Sequence, residues 1–194
     1  MAVSAADPAS APEPGASGVT GIVLAAGAGT RAGGPKALLR MPDGTPWLEL
    51  ACAFLRDSGC DRVVAVLGAQ SRIARPLVPN WAEVVVVDEW EAGMSASLRA
   101  GLAAAAGGAA LVTLVDLPAL PAAVGRRVMA ASGALRQAVF GGEPGHPVYI
   151  AAEHVDAAAA SLTGDRGARR YLVEHGVVEV ECGDLWDGGD RDFG

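Results

Sequence analysis

Lysine is almost missing from this chain: Lys36 is the only one, and the other fourteen of its fifteen basic residues are arginine. Basic side chains nowhere run longer than a pair, and the formal net charge at pH 7 is -7. A nucleic-acid backbone demands concentrated positive charge, so no nucleic-acid partner is expected. Cysteine is scarce as well. Cys52, Cys60 and Cys182 are odd in number and lack metal-ligand spacing, which reads as free structural thiols in a reducing compartment. The start of the chain has neither the basic stretch nor the apolar core of a signal peptide, and the cytoplasm is the default expectation. The uncharged run from Ala100 to Val115 is interrupted by Gly107-Gly108 and ended by Asp116. It falls short of the roughly 20 apolar residues that span a bilayer, so no membrane partner is expected.

Residues 1–18 are mostly Ala, Pro, Ser and Gly and are expected to be a disordered leader. The remainder, 51% hydrophobic over the whole chain, is enough for one sizeable core. One domain is expected over 19–194, with a nucleotide-binding half to about residue 120 and an acceptor-binding half from about 121. Strands are expected at Val19 to Leu24, Arg62 to Leu67, Glu83 to Val87 and Ala110 to Val115. Past the charged Arg62 and Glu83 that open two of them, these runs are largely apolar, and they alternate with helical segments at Thr45 to Ser58, Ser71 to Leu77 and after Gly93. That alternation predicts an α/β fold, a doubly wound, mostly parallel sheet with helices on both faces. In the second half, a helix is expected from Pro121 to Ser132, short strands at Gln137 to Phe140 and His146 to Ile150, helices at Glu153 to Ala160 and Asp165 to His175, and a last strand at Val177 to Val180.

The most informative stretch runs from Val19 to Leu39. Its strand passes into a loop with glycines at 27, 29, 33 and 34. Such a loop can turn several backbone N–H groups toward an anion, because glycine adopts positive φ freely and has no side chain to hold the ligand away. Arg31 and Lys36 add charge to that concavity. A lone lysine in an arginine-rich chain marks a place where a compact, mobile ammonium is wanted in place of a rigid guanidinium fork. The spacing of Gly27, Gly29 and Gly33 misses the dinucleotide pattern by one residue, and no Walker Gly-Lys-Ser/Thr is present.

Asp116 is the strongest single candidate for chemistry. It stands at the carboxyl end of a central strand, where open α/β sheets bind their ligands, and Pro118 keeps the chain from running straight into a helix. A carboxylate there can hold Mg²⁺ against phosphate oxygens; capping of the next helix is the alternative.

The run Leu24-Ala25-Ala26-Gly27, followed by Arg31, Gly33 and Lys36, resembles the loop of the molybdenum cofactor cytidylyltransferase-like branch of the nucleotidyltransferases, a Rossmann-like fold. Further resemblance is carried by Gly93-Met94-Ser95, by Gly145-His146-Pro147 and by Gly164-Asp165-x-Gly167-Ala168-Arg169. It implies that Leu24 through Gly27, Gly29, Gly93 and Ser95 bind the nucleotide, with Arg31 and Lys36 on its phosphates. His146, Asp165 and Arg169 would face the acceptor. Asp116 would bind Mg²⁺, with Asp192 of Asp190-Arg191-Asp192 as second ligand, although Phe193-Gly194 stands where the family carries Thr-Pro. Ser95 has the alternative of capping a turn, His146 of a buried hydrogen-bonded ring, and Asp165 of capping a helix or pairing with Arg169. Ala26, where the guanylyl branch has glycine, favours the cytidylyl branch. The implied activity is transfer of CMP from CTP onto molybdopterin or its molybdenum form. Other small phosphorylated acceptors such as a sugar phosphate, and a non-catalytic nucleotide-binding role, are the alternatives.

Overall fold

The structure is a computed structural model that describes residues 18–29, 33–105 and 107–187. Its strands are β1 (Val19–Ala25), β2 (Arg62–Leu67), β3 (Glu83–Val86), β4 (Ala109–Leu114), β5 (Leu135–Phe140), β6 (Glu143–Ile150) and β7 (Val178–Glu181). All seven belong to one sheet in the order β3-β2-β1-β4-β6-β5-β7. β1 pairs in parallel with β2 and β4, and β3 with β2. β6 runs antiparallel to both of its neighbours, and β7 is parallel to β5.

Helices cover both faces, as the alternation predicts. α1 (Trp47–Ser58), the one-turn α2 (Ser71–Ala74) and α4 (Ala122–Ala130) lie on one side. α3 (Met94–Ala104), α5 (Ala152–Ser161) and α6 (Arg169–Glu174) lie on the other. The period-two geometry of β1 sends Val23 into the first layer, with Leu48, Leu55 and Val124, and its fully buried neighbour Ile22 into the second, with Leu98 and Leu102. This two-sided burial is why the central strands are apolar without a break. Among the described residues, no helix is long and apolar enough to cross a membrane.

Three local expectations are corrected. α1 begins one residue later than the Thr45 cap and Pro46 first residue predicted, because the Thr45 N–H donates to Asp43 Oδ1 (2.9 Å) and Pro46 itself is the extended capping residue. The helix foreseen from Asp165 to His175 is only α6. Gly164, with φ 59°, begins a turn that holds Asp165 in a loop, so Asp165 caps no helix. The helix foreseen from Pro121 to Ser132 is α4, with Pro121 extended before it.

The placement of β6 matters most for the site. Its ladder with β4 runs from Ala110 opposite Ile150 to Val112 opposite Val148 and then stops. Two residues further on, the same register would set His146 opposite Leu114, but there the strands have parted while β6 stays paired to β5. The sheet therefore opens at the carboxyl end of β4.

Candidate functional site

Three hollows surround that opening, and Leu114 lines all of them. The first, about 580 Å³, lies over the β1 loop and is lined by Ala25, Ala26, Gly27, Gly29, Lys36 and Asp116 among others. The loop is built to be tight below and open above. Gly29 has φ 59°, and its carbonyl accepts the Gly34 N–H at 3.1 Å. A Cβ on Gly29 would stand 1.8 Å from the Gly34 oxygen, so only glycine fits. A Cβ on Gly27, by contrast, would meet nothing within 4 Å among the described residues. The Ala26 carbonyl fixes the loop to the end of β2 by accepting the Ala69 N–H at 2.9 Å.

Lys36 reaches across this cleft to Asp116, with Nζ 3.0 Å from Oδ2. Oδ1 of Asp116 is buried and has no hydrogen-bond partner among the described residues. A carboxylate with one oxygen uncommitted at a polar cleft suits a hard dication that takes its remaining ligands from substrate oxygens and water. No group of three His, Cys, Asp or Glu residues that could cage a metal is found among the described residues.

Gly93 and Asp165 also line the first cleft. A Cβ on Gly93 would lie 2.2 Å from Asp165 Oδ1, so the 164–165 turn closes directly onto the start of α3. The structure thus sets Asp165 in the wall of the glycine-loop cleft, whereas Arg169 lines the second hollow described below. Ser95 is buried and does not line the cleft. Its N–H is taken by the Gly164 carbonyl at 3.2 Å, while Ser97, two residues further, does line it. Arg31 and Asp192, like Asp190, lie outside the described residues.

The second hollow, about 220 Å³, is mostly apolar, with Leu24, Met94, Leu98 and Ile150 in its wall and Gln137, His146 and Arg169 as polar groups. Gln137 is anchored by donating from Nε2 to the Gly145 carbonyl at 3.0 Å. The third, about 350 Å³, lies between the β5–β6 hairpin and the segment after β7, and is lined by Asp116, Phe140, Glu143, His146 and Trp186 among others. His146 thus borders both. Its Nδ1 lies 3.4 Å from the Val112 carbonyl at the point where the β4–β6 ladder ends. Loss of water around the ring holds its pKa below the usual histidine range, against the opposing pull of that carbonyl and of Asp116.

Sequence reasoning passed over Gln137, Glu143 and Trp186. Trp186 offered one signal, a large aromatic in an otherwise acidic, glycine-rich tail. The others become visible only once strand order is known.

A glycine loop, a lysine and a strand-end aspartate at the carboxyl edge of a mostly parallel sheet make a phosphate-binding site of the α/β type. The chain belongs to the MobA-like NTP transferase domain family, which it matches over residues 21–180. It is 38% identical to the nicotine blue oxidoreductase of Paenarthrobacter nicotinovorans, over 90% of this chain and 92% of that one. It is 30% identical to the molybdenum cofactor guanylyltransferase of Burkholderia vietnamiensis, over 86% and 87%. The fold superposes on the crystal structure of Rv0371c from Mycobacterium tuberculosis H37Rv with a TM-score of 0.76 and 29% identity, covering 86% of this chain and 89% of that one. Rv0371c has also been solved in complex with manganese.

Proposed function

We propose that this nucleotidyltransferase joins the nucleoside monophosphate of CTP or GTP to molybdopterin or its molybdenum form, with release of pyrophosphate. The observation that carries the reading is the position of Asp116, which lines both the glycine-loop cleft and the hollow beyond β4. A donor in one and an acceptor in the other would meet at that carboxylate. Gly27, Gly29 and their backbone N–H groups cradle the triphosphate, and Lys36 moves from Asp116 onto the phosphate oxygens. A phosphate oxygen of the acceptor attacks the α-phosphorus in line, and the bond to the β-phosphate oxygen breaks as pyrophosphate leaves. An ionised phosphate needs no strong general base, so positioning and charge stabilisation carry the chemistry. Asp116 is suited to hold Mg²⁺, which when bound supplies neutralisation of charge at the triphosphate; the manganese complex of Rv0371c supports a divalent ion here.

Two observations bear on the base and point apart. The Ala25-Ala26-Gly27 run resembles the cytidylyl branch, whereas the curated relative at 30% identity is a guanylyltransferase. A second reading, reduction of a flat aromatic compound, is favoured by the 38% identical relative and by the apolar second hollow. The glycine spacing of the loop supports transfer instead.

The experiment is pyrophosphate release with CTP, GTP, ATP and UTP in Mg²⁺, with and without molybdopterin, run beside NADH and NADPH oxidation with an aromatic acceptor. Acceptor-dependent release with one nucleotide, lost by about a thousandfold in Asp116→Ala, is the expected result. Reduced-nicotinamide oxidation without pyrophosphate release would replace transfer with the second reading.

A further inference from the structure

We infer that the outer edge of β3 is a self-association surface, taken by β3 of a second copy of this chain running antiparallel to it, so that two seven-stranded sheets join into one. The inference goes beyond the transfer reading and does not depend on it, because the candidate cleft lies over the inner strands β1 and β4.

The backbone sets the register. β3 ends the sheet and is paired to β2 alone among the described strands. The Val87 N–H donates to the Leu67 carbonyl at 2.8 Å, within the parallel ladder that opposes Leu67 to Val86. Backbone groups alternate in direction along a strand, so Glu83, Val85 and Val87 turn theirs toward β2 while Val84 and Val86 turn their N–H and C=O groups outward. Setting Val84 opposite Val86 of a second copy, and Val86 opposite its Val84, pairs all of those outward groups at once. The two-fold axis then passes between the two Val85 residues.

This edge lacks the devices that keep edge strands apart, which are lysine, proline, bulges and free charges. β3 reads Glu-Val-Val-Val, and its ladder with β2 runs without a register shift. Its one acid, Glu83, is drawn back to β2 by Arg62, which donates to both carboxylate oxygens at 2.9 and 2.8 Å. Val86 is 43% exposed, and pairing would cover it with Val84 of the other copy. At the opposite end of the sheet, β7 alternates valine with Glu179 and Glu181, charges that would repel a second β7.

Charge says that the occupant is this same strand, reversed. Arg75, just after α2, lines a hollow of about 430 Å³ together with Ala82 and Val84 at the start of β3, while Asp88 and Glu89 follow its end. Among the described residues, neither the Arg75 nor the Asp88 side chain makes an ion pair. Ala82 and Val84 pack toward the layer of α1 and α2, and Asp88 shares their parity along the chain. The register that pairs Val84 with Val86 also puts Asp88 opposite Ala82 of the other copy, on the face where its Arg75 stands. The two-fold axis makes this contact twice. A parallel arrangement would bring like charges together at both ends.

The test is sedimentation velocity of the full chain over about 1 to 200 μM, where conversion to twice the chain mass with a midpoint in the micromolar range is expected for a small interface. Val84→Pro removes an outward N–H and leaves the β2 ladder its donors, so a monomer with little change in Tm should result. Asp88→Arg should weaken the dimer at least about tenfold, and adding Arg75→Asp to the same chain should restore it. Cross-linking reads the register. Val85→Cys should form an interchain disulfide with oxidised glutathione, since its Cα atoms would face each other at about 4.5 Å, whereas the Cα atoms of Val84→Cys would stand more than about 7 Å apart and should not. Cys52, Cys60 and Cys182 are buried and leave the readout clear. A monomer over the whole range, a dimer unmoved by Val84→Pro, or equal cross-linking from positions 84 and 85 would each overturn the assignment.

Discussion

The Lys36 ammonium lies 3.0 Å from Asp116 Oδ2, a contact made across 80 residues of sequence. It joins the loop after β1 to the end of β4, the two neighbouring central strands whose carboxyl ends frame the cleft. The pair is partly solvated, with side-chain exposures of 30% and 21%, so its worth to the fold is small, about 1 kcal/mol or less. Its position is what matters, because the cation already sits at a carboxylate that would face phosphate.

Lys36→Met should therefore lower kcat about a hundredfold while moving Tm only slightly. Lys36→Arg should restore little, since a planar fork cannot follow a phosphate from one partner to another as a point charge does. Single-turnover pyrophosphate release beside a thermal melt checks both variants.

Gly29→Ala should leave the core intact and damage the loop. Its φ of 59° and the 1.8 Å approach of a Cβ to the Gly34 carbonyl force the turn to reopen. Nucleotide affinity is expected to fall about tenfold or more, by loss of aligned backbone donors, with far-UV circular dichroism unchanged. Gly27→Ala is the internal comparison. A Cβ there would meet nothing within 4 Å among the described residues, so a loss it causes is expected to report contact with the ligand itself.

His146 sets a pH dependence whose sign is fixed by its surroundings. Desolvation depresses its pKa in the folded state, whereas in the unfolded chain it titrates near the ordinary value of 6.5. Below that value the unfolded state binds a proton that the folded state resists, so stability contributed by the neutral ring falls as pH drops through 6.5 and below. The decline in Tm between pH 7 and pH 5 should be smaller in His146→Gln than in the parent protein. An equal decline in both would show that the ring titrates normally in the folded state.

β2 was legible to the residue, because the apolar run Val63 to Leu67, entered through Asp61-Arg62 and closed by Gly68, leaves a buried strand little freedom in its ends. Asp116 was legible for a related reason, standing just past a strand whose end the sequence marks, and Lys36 because it is the only lysine, set beside the glycine loop. The meeting of the two was not, since nothing in periodicity says which strands are neighbours. The same limit hid the third hollow. Apolar alternation identifies β6 as a strand but carries no information on its direction or on the early end of its ladder with β4. Ser95 shows a finer failure. A serine at a helix start has free donors by general expectation, and here a carbonyl from the distant Gly164 turn has claimed them.

Because β4 and β6 part after Val112 and Val148 while β5 and β6 remain joined, the sheet ends as a fork with two tines. The fork is a property of which backbone groups are hydrogen-bonded to which, so no single side-chain exchange closes it. One tine carries the nucleotide loop and the other the hairpin with its aromatic wall. Sequence change can accumulate on the outer tine and reshape its hollow, while the inner tine keeps the glycine loop and Asp116 in the same places.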